Sequence, residues 1–398
     1  MWTPRIIKEA IFKIEDFQIK DFQIEDFKIE ERRFDPQRRA FGKLLLTGAF
    51  AGKFLFSNIG FAGAAKSNTS KIKISAQIRN PFTEDDLKLI RQMGIGYLTT
   101  WVSAPEDATY ENFMKMREKA ESYGLKIATI GNGRVHNMEE VTLNLPGRDK
   151  KIEEYQQSLR NLGRAGIHTT VYSHMATGVT GSKREATRGG ASSRAYEDGK
   201  RDEKESYSFK TFTHGRLYTE DELWENYEYF IKRVAPVAEE YRVKIAMHPE
   251  DPPGLTLGNV PRCIFSSFNG YKRAIEIAGS DYVGMCLCCG CVLEAGKSWG
   301  KDVIDTIRYF GRRNKIFKVH FRNVNRPLPH FVETFIDDGY FDMSKIMKAL
   351  REDNVDCFLI ADHWPEMAGG PRTGFAFTMG YIQALLERAN EEVGTSIR

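Results

Sequence analysis

Short apolar runs alternate with amphipathic stretches from about residue 71 to the end of the chain. Each run is rich in β-branched or aromatic residues and has the length of a strand, so we predict eight β-strands. They span residues 72–79, 96–103, 126–131, 168–175, 243–248, 283–288, 316–322 and 357–362. Because strands that alternate with covering helices are typical of a parallel sheet, the pattern predicts an α/β fold.

The stretches between these strands carry helix signals at both ends. Helices are predicted at 84–92, 111–123 and 150–164, and Gly94, Gly124 and Gly166 follow them as C-terminal caps. Asp149, Thr219 and Asp302 are candidate N-caps or first-turn acids. Eight strand–helix repeats in one chain of this length indicate a single (β/α)8 TIM barrel.

A doubly wound open sheet is the alternative fold. No glycine-rich phosphate-binding turn follows the first predicted strand, so we favour the barrel and expect no nucleotide cofactor. The largest insertion, residues 176–218, follows the fourth strand and is rich in small, hydroxyl and basic residues. Loops on that side of a barrel build the active site, so we expect this one to act as a lid.

Composition adds a restriction on partners. The chain is 41% apolar and 28% charged, which is ordinary for a soluble globular protein. Its net charge of +4 comes from Lys and Arg that are scattered among nearly as many acids. We therefore expect no nucleic-acid partner.

The first 66 residues differ from the rest. Residues 12–31 repeat a five-residue motif that begins with Phe, a period that fits neither helix nor strand. Arg38-Arg39, a weakly apolar stretch over 44–65 and Ala62-Gly63-Ala64 then resemble a twin-arginine export signal. We expect an arm and signal in 1–66, a barrel domain in 67–398 and a periplasmic or exported protein, with a cytoplasmic protein as the alternative.

The same stretch is a poor membrane anchor, because Lys53, Ser57, Asn58 and several glycines interrupt it. We therefore expect no stable membrane span in the mature chain. The sequence leaves open whether the protein is a monomer or a homo-oligomer.

Four predicted strands end on side chains that bind transition metals: His248, Cys288, His320 and Asp362. A satisfied core residue is the ordinary interpretation of any one of them. Four at corresponding strand ends favour a site, because these ends share one face of a barrel. Two imidazoles, a thiolate and a carboxylate suit Mn²⁺, Fe²⁺, Co²⁺ or Zn²⁺ better than Ca²⁺ or Mg²⁺.

The cysteines around the sixth strand leave alternatives. Cys286 and Cys288 lie on the same side of a strand, so Cys288 is favoured only because it is nearer the strand end. A zinc knot made by these two with Cys289 and Cys291 is a competing interpretation, but one ligand among the four is favoured. Many thiols fit an oxidising compartment poorly unless the metal binds before export.

Further residues are candidates for acid/base chemistry and substrate binding. His363, beside Asp362, is predicted to act as a general acid or base, with a core histidine as the alternative. Arg322 is predicted to bind a substrate carboxylate, with a salt bridge to Glu250 or Glu333 as the alternative. Tyr172 and His174 are two residues apart on the fourth strand and therefore share a face. Two interpretations are open: they face the pocket and bind substrate, or they face the core.

Several long segments carry a family resemblance that covers the chain from about residue 70 to its end. They are Arg160-Asn161-Leu162-Gly163-Arg164-Ala165-Gly166-Ile167, Met247-His248-Pro249-Glu250-Asp251-Pro252-Pro253, Gly284-Met285-Cys286-Leu287-Cys288, His320-Phe321-Arg322-Asn323-Val324 and Phe331-Val332-Glu333-Thr334-Phe335-Ile336-Asp337-Asp338-Gly339-Tyr340-Phe341-Asp342-Met343. These segments resemble the D-mannonate dehydratase family.

The resemblance implies a xylose-isomerase-like barrel that uses Mn²⁺ or Fe²⁺ to convert D-mannonate to 2-keto-3-deoxy-D-gluconate and water, a step of hexuronate breakdown. It also implies that His248, Cys288, His320 and Asp362 are the metal ligands, which decides between Cys288 and Cys286. His363 is then the catalytic histidine. We therefore expect a hydro-lyase that acts on a small sugar acid.

The chain departs from the family pattern close to the chemistry. Trp364-Pro365 follow Asp362-His363 where Gly-Arg is usual, and 371–377 contain phenylalanines where the family has a tyrosine. Tyr172-Ser173-His174-Met175 replaces the usual Tyr-Asn-Phe-Met. Since phenylalanine cannot transfer a proton, two alternatives stay open: a metal-dependent sugar isomerase or epimerase, and a non-catalytic exported sugar-acid binder.

Overall fold

The computed structural model describes residues 70–176, 178–200, 216–254, 256–257, 260–261 and 264–396. The predicted boundary at residues 66 and 67, the repeat at 12–31 and the twin-arginine-like segment lie outside these ranges. Within them, every helix is too short or too polar to cross a lipid bilayer.

Eight parallel strands form the barrel, as the apolar runs predict. They are β1 Ile72–Gln77, β2 Tyr97–Val102, β3 Lys126–Asn132, β4 Thr169–Tyr172, β5 Lys244–Met247, β6 Val283–Cys288, β7 Ile316–His320 and β8 Cys357–Ile360. They pair in the order β3-β2-β1-β8-β7-β6-β5-β4. The two ends of this order meet, since the Thr170 hydroxyl of β4 donates to the Ile130 carbonyl of β3 at 2.9 Å. The predicted (β/α)8 barrel is confirmed.

One helix follows each strand and covers the outside of the barrel. The helices are α1 Glu84–Gln92, α2 Tyr110–Ser122, α3 Arg148–Arg164, α4 Glu220–Glu240, α5 Phe268–Ala278, α6 Val303–Gly311, α7 Met343–Glu352 and α8 Pro371–Ser396. Shorter helical segments lie at Pro105–Asp107, Gly133–His136, Glu139–Thr142, Arg188–Gly190, Cys289–Ala295 and Gly296–Trp299.

The predicted helix ends are confirmed by local geometry. Thr219 caps α4 in a capping box with Glu222, and Asp302 accepts the Asp305 amide at the start of α6. The three predicted cap glycines follow α1, α2 and α3, and all have positive φ, which glycine adopts without steric cost. Leu98, Phe113, Leu159, Phe230 and Ile307 are among the buried residues of the core that strands and helices share.

A one-residue shift in β7 sets the register of the barrel mouth. Met285 of β6 pairs with Ile316, but Cys286 pairs with Lys318, so Phe317 is an extra residue on β7. Such a bulge changes which residues face each other further along the strand. As a result Cys288 and His320 lie side by side where β6 and β7 end.

The insertion after β4 is folded where it is described. Glu185–Ala186 pairs with Ser192–Ser193, and Ala195–Glu197 pairs with His330–Thr334 in the loop after β7. His330–Thr334 also pairs with Asn323–Val324, and Thr256–Leu257 pairs with Val260–Pro261 after β5. Ser192 further bridges to Glu366 after β8. The described part of the insertion therefore packs on loops at the carboxyl ends of the strands, and its role as a lid stays a prediction.

Candidate metal centre

The structure brings the four predicted metal ligands together. Donor atoms of Cys288, His320 and Asp362 lie within 4.8 Å of one another, and those of His248, Cys288 and Cys291 do so as well. The imidazole rings of His248 and His320 are 4.9 Å apart between centroids. Cys288 belongs to both groups, so the donors surround one volume at the mouth of the barrel.

The donors fit a transition-metal ion. Both ring nitrogens of His320 are buried, and neither makes a well-aligned hydrogen bond within the described part of the chain, although Nδ1 lies close to Asp362. Such burial is costly unless another group uses these nitrogens. Burial raises the pKa of the Cys288 thiol, but a hydrogen bond from Cys291 and the charge of Arg322 outweigh it and hold the pKa well below its ordinary value. These contacts favour the thiolate, which is the form that binds metals.

Asp362 has a strained backbone at this site. Its φ is 67°, and the amide of His363 donates to the Ala361 carbonyl at 3.0 Å, which closes a three-residue turn centred on Asp362. Left-handed backbone costs a non-glycine residue roughly 1–2 kcal/mol. The turn places the Asp362 carboxylate 3.2 Å from Nδ1 of His320. Strain of this kind is concentrated at functional sites.

Arg322 lies beneath the donors and is only 1% exposed. Its Nε donates to Asp362 at 3.1 Å and its Nη2 donates to Asp251 at 3.0 Å. The guanidinium also contacts Cys291, Glu294 and Glu333. These contacts correspond to the predicted alternative of a salt bridge to Glu333. Because almost none of its surface is exposed, Arg322 is not placed to bind a substrate carboxylate.

His363 lies at the edge of the donor cluster with 32% of its side chain exposed. Its Nδ1 is 2.8 Å from Oε1 of Glu333, which fixes the orientation of the ring. Burial acts to lower the pKa of His363, but the Asp362 and Glu333 carboxylates outweigh it and raise the pKa to about 9. An oriented and partly exposed imidazole beside a metal site is suited to proton transfer.

Tyr172 and His174 point away from the mouth. The Tyr172 hydroxyl is 2.6 Å from Nδ1 of His174, and the Tyr172 ring stacks on Phe230 of α4 at 4.5 Å. His174 packs on Tyr227 of α4 and on Phe265. Both side chains are fully buried in an aromatic layer between the barrel and α4. Of the two predicted orientations, the structure shows the one that faces the core. The sequence could not decide between them, because both faces of a barrel strand are buried and alternation along the strand does not show which face points to the mouth.

The four cysteines near the end of β6, Cys286, Cys288, Cys289 and Cys291, are not gathered in a knot. Among the described residues, none of the clusters that could hold a metal contains three cysteines. Cys357 is buried in the core. Cys291 hydrogen-bonds Cys288, and only two residues separate them in the sequence. This spacing could have indicated that Cys291 lies beside the donor cluster.

The sequence interpretation missed the polar shell around the donors. Arg194, in the insertion after β4, forms ion pairs with Asp251 and Glu333, and Glu294 is fully buried beside Arg322. Asp251 lies in a segment with the family pattern and was available to sequence reasoning. Arg194 carried no signal, because it lies in an insertion without periodicity.

The fold places the chain in a structural class, the xylose-isomerase-like TIM barrels. The Xylose isomerase domain protein from Planctomyces limnophilus, 10% identical, matches with a TM-score of 0.54 over 82% of this chain and 99% of that chain. The mannonate dehydratase from Streptococcus suis, 27% identical, matches with a TM-score of 0.71 over 82% of this chain and 95% of that chain.

The family model of D-mannonate dehydratase (UxuA) matches residues 82–389, and the chain belongs to this family. The mannonate dehydratase of Streptococcus pneumoniae is 30% identical over 340 residues, which are 78% of this chain and 91% of that protein. The one of Thermotoga neapolitana is 31% identical over 293 residues, which are 65% and 79%. The predicted family is confirmed; its relatives are hydro-lyases, and the family is metal-dependent.

Proposed function

We propose that this protein is a metal-dependent hydro-lyase that converts D-mannonate to 2-keto-3-deoxy-D-gluconate and water. The observation that carries the proposal is the convergence of His248, Cys288, His320 and Asp362 at the barrel mouth in a chain of the D-mannonate dehydratase family. These four residues would hold the ion. Two nitrogens, a sulfur and one carboxylate favour Mn²⁺ or Fe²⁺, or another divalent transition metal, over Ca²⁺ and Mg²⁺.

The metal, when bound, supplies a Lewis acid that lowers the pKa of the hydrogen on the substrate carbon next to the carboxylate. The protein supplies orientation and a proton. His363, aligned by Glu333, is placed to protonate the C3 hydroxyl as it leaves as water. Arg322 holds Asp362 and thereby fixes the carboxylate ligand.

A second candidate function is sugar isomerisation or epimerisation at the same site. One observation favours it: Phe377, 37% exposed, and the buried Phe375 occupy the segment in which the family has a tyrosine. A chain without that hydroxyl lacks one proton-transfer group of a dehydratase. The two functions differ in their products, since only dehydration releases water and a keto-deoxy acid.

The test is to prepare metal-free protein, reload it separately with Mn²⁺, Fe²⁺, Co²⁺ and Zn²⁺, and incubate it with a panel of aldonic acids that includes D-mannonate. We expect a 2-keto-3-deoxy acid with Mn²⁺ or Fe²⁺, and no turnover or bound metal in His320→Ala. A ketose or an epimer would favour the second candidate. Substrate binding without any product would favour the non-catalytic sugar-acid binder.

We also propose that residues 1–66 direct export through the twin-arginine route. Arg38-Arg39 and the small residues at 62–64 support this proposal. Fractionation of the host, with mass spectrometry of the protein's first residue, tests it. An uncleaved chain in the cytoplasmic fraction would contradict it.

A further inference from the structure

Arg194 reaches from the insertion into the shell around the donors. Only 12% of its side chain is exposed. Its Nη2 donates to Asp251 at 2.6 Å and to the Thr180 carbonyl at 2.8 Å, and its Nη1 donates to Oε1 of Glu333 at 3.0 Å. The Glu333 amide in turn donates to the Arg194 carbonyl at 2.9 Å. Both the backbone and the side chain of Arg194 therefore fix Glu333.

One oxygen of Glu333 serves three cationic groups. Its Oε1 lies 2.8 Å from Nδ1 of His363, 3.0 Å from Nη1 of Arg194 and 3.2 Å from Nη1 of Arg322. Arg322 belongs to the barrel and Arg194 to the insertion. A carboxylate held on two sides has little freedom to rotate, so the imidazole hydrogen-bonded to it is held as well.

We propose that Arg194 is a positioning residue, which holds Glu333 in the orientation that aims His363 at the substrate. The insertion after β4 then contributes a residue that orients the general acid, in addition to packing over the site. This inference rests on the proposed function for the role of His363. It adds a residue far from the donors in sequence.

If Arg194 only anchored the insertion to the barrel, its charge would not need to be buried. The same insertion already has a surface anchor, because both terminal nitrogens of Arg188 donate to Asp337, at 2.8 and 3.1 Å. Arg188 is 43% exposed, and its guanidinium contacts Asp337 and the Phe335 ring. Burying a guanidinium is unfavourable until its ion pairs form. Arg188 is therefore a matched control for Arg194.

The experiment compares Arg194→Lys with Arg188→Lys in the metal-loaded full-length protein, with D-mannonate as substrate. Lysine keeps the charge but cannot contact Asp251 and Glu333 with a planar fork. We expect kcat of Arg194→Lys to fall by about 10–100-fold, the usual effect of losing a partner that orients a site residue. KM and metal content should stay within about 2-fold, because substrate and metal binding are unchanged. Arg188→Lys should retain kcat within about 2-fold, because a surface ion pair is worth little.

A double-mutant cycle with Glu333→Gln separates positioning from general damage. If Arg194 acts through Glu333, Arg194→Lys should lower kcat little further once Glu333→Gln is present. Additive losses would overturn the proposal, and so would an equal loss in Arg188→Lys. Should Arg194→Lys prove too unstable to assay, Arg194→Gln offers a neutral donor for the same cycle.

The proposed function and this inference fail in different ways. Wild-type protein without turnover on any aldonic acid refutes the function alone. A crystal structure of Arg194→Lys then decides on the positioning role. A displaced Glu333 that no longer contacts Nδ1 of His363 supports it, and an unchanged 2.8 Å contact overturns it.

Discussion

Gly290 is a position where a single added methyl group should disturb the donor cluster at the barrel mouth. A Cβ at this position would lie 2.1 Å from Nη1 and 2.3 Å from Cζ of Arg322. Non-bonded heavy atoms need roughly 3.5 Å. In Gly290→Ala the guanidinium must therefore retreat by more than about 1 Å, and its 3.1 Å hydrogen bond to Asp362 cannot survive that shift.

The size of the effect follows from the buried ion pairs of Arg322 and from its hydrogen bond to Asp362. Breaking a buried ion pair by removing one partner costs about 3–5 kcal/mol, and losing a group that orients a metal ligand costs about 10–100-fold in metal affinity. We expect Gly290→Ala to lower the free energy of unfolding and the metal affinity by these amounts. Urea denaturation and a competition titration with a metal chelator measure the two quantities.

Gly380 provides the matched control. It lies within α8, and nothing lies within 4 Å of a Cβ added there. Gly380→Ala should stabilise the protein by about 0.5–1 kcal/mol and leave metal affinity unchanged, because alanine is the better helix residue. Wild-type stability and wild-type metal affinity in Gly290→Ala would refute the close packing of Gly290 on Arg322.

Three further predictions follow from the site and its surroundings. Cys288→Ser should weaken metal binding at least 10-fold, whereas Cys286→Ser should not, and metal analysis after dialysis distinguishes them. His363→Asn should lower kcat by about 10²–10⁴-fold with full metal content, as loss of a general acid does; steady-state kinetics near wild-type values would contradict that role. Burial lowers the pKa of His174 to about 3, so below the ordinary value of 6.5 the unfolded chain takes up a proton that the folded chain refuses. His174 should therefore contribute a fall in stability of about 1.4 kcal/mol per pH unit as the pH drops from about 6.5 towards 3. Because burial also lowers the pKa of His136 to about 3, His174→Gln should reduce the slope of urea denaturation curves between pH 6 and 4 by that amount and leave the rest.

The sequence by itself determined the barrel and the candidate ligands that gather at its mouth. Strand and helix periods, cap glycines and strand-end polar residues are local signals, and each is readable within a few residues. The rule that parallel strands end on one face places His248, His320 and Asp362 together with a cysteine of the sixth strand. The family resemblance then favours Cys288 over Cys286. No knowledge of the long-range packing was needed to place them together.

Only the tertiary structure decided what surrounds those ligands. Whether Tyr172 faces the mouth or the helices depends on which buried face of β4 it occupies, and an apolar run buried on both faces does not record this. Arg194 meets Asp251 and Glu333 across 57 and 139 positions of sequence, and it lies in an insertion that has no repeating pattern. The role of Arg322 likewise depends on the tertiary structure, because carboxylates of the protein itself pair with its guanidinium. Such contacts depend on how distant loops pack on the barrel. A buried charged side chain must be paired, and the folded structure determines which partner lies within reach.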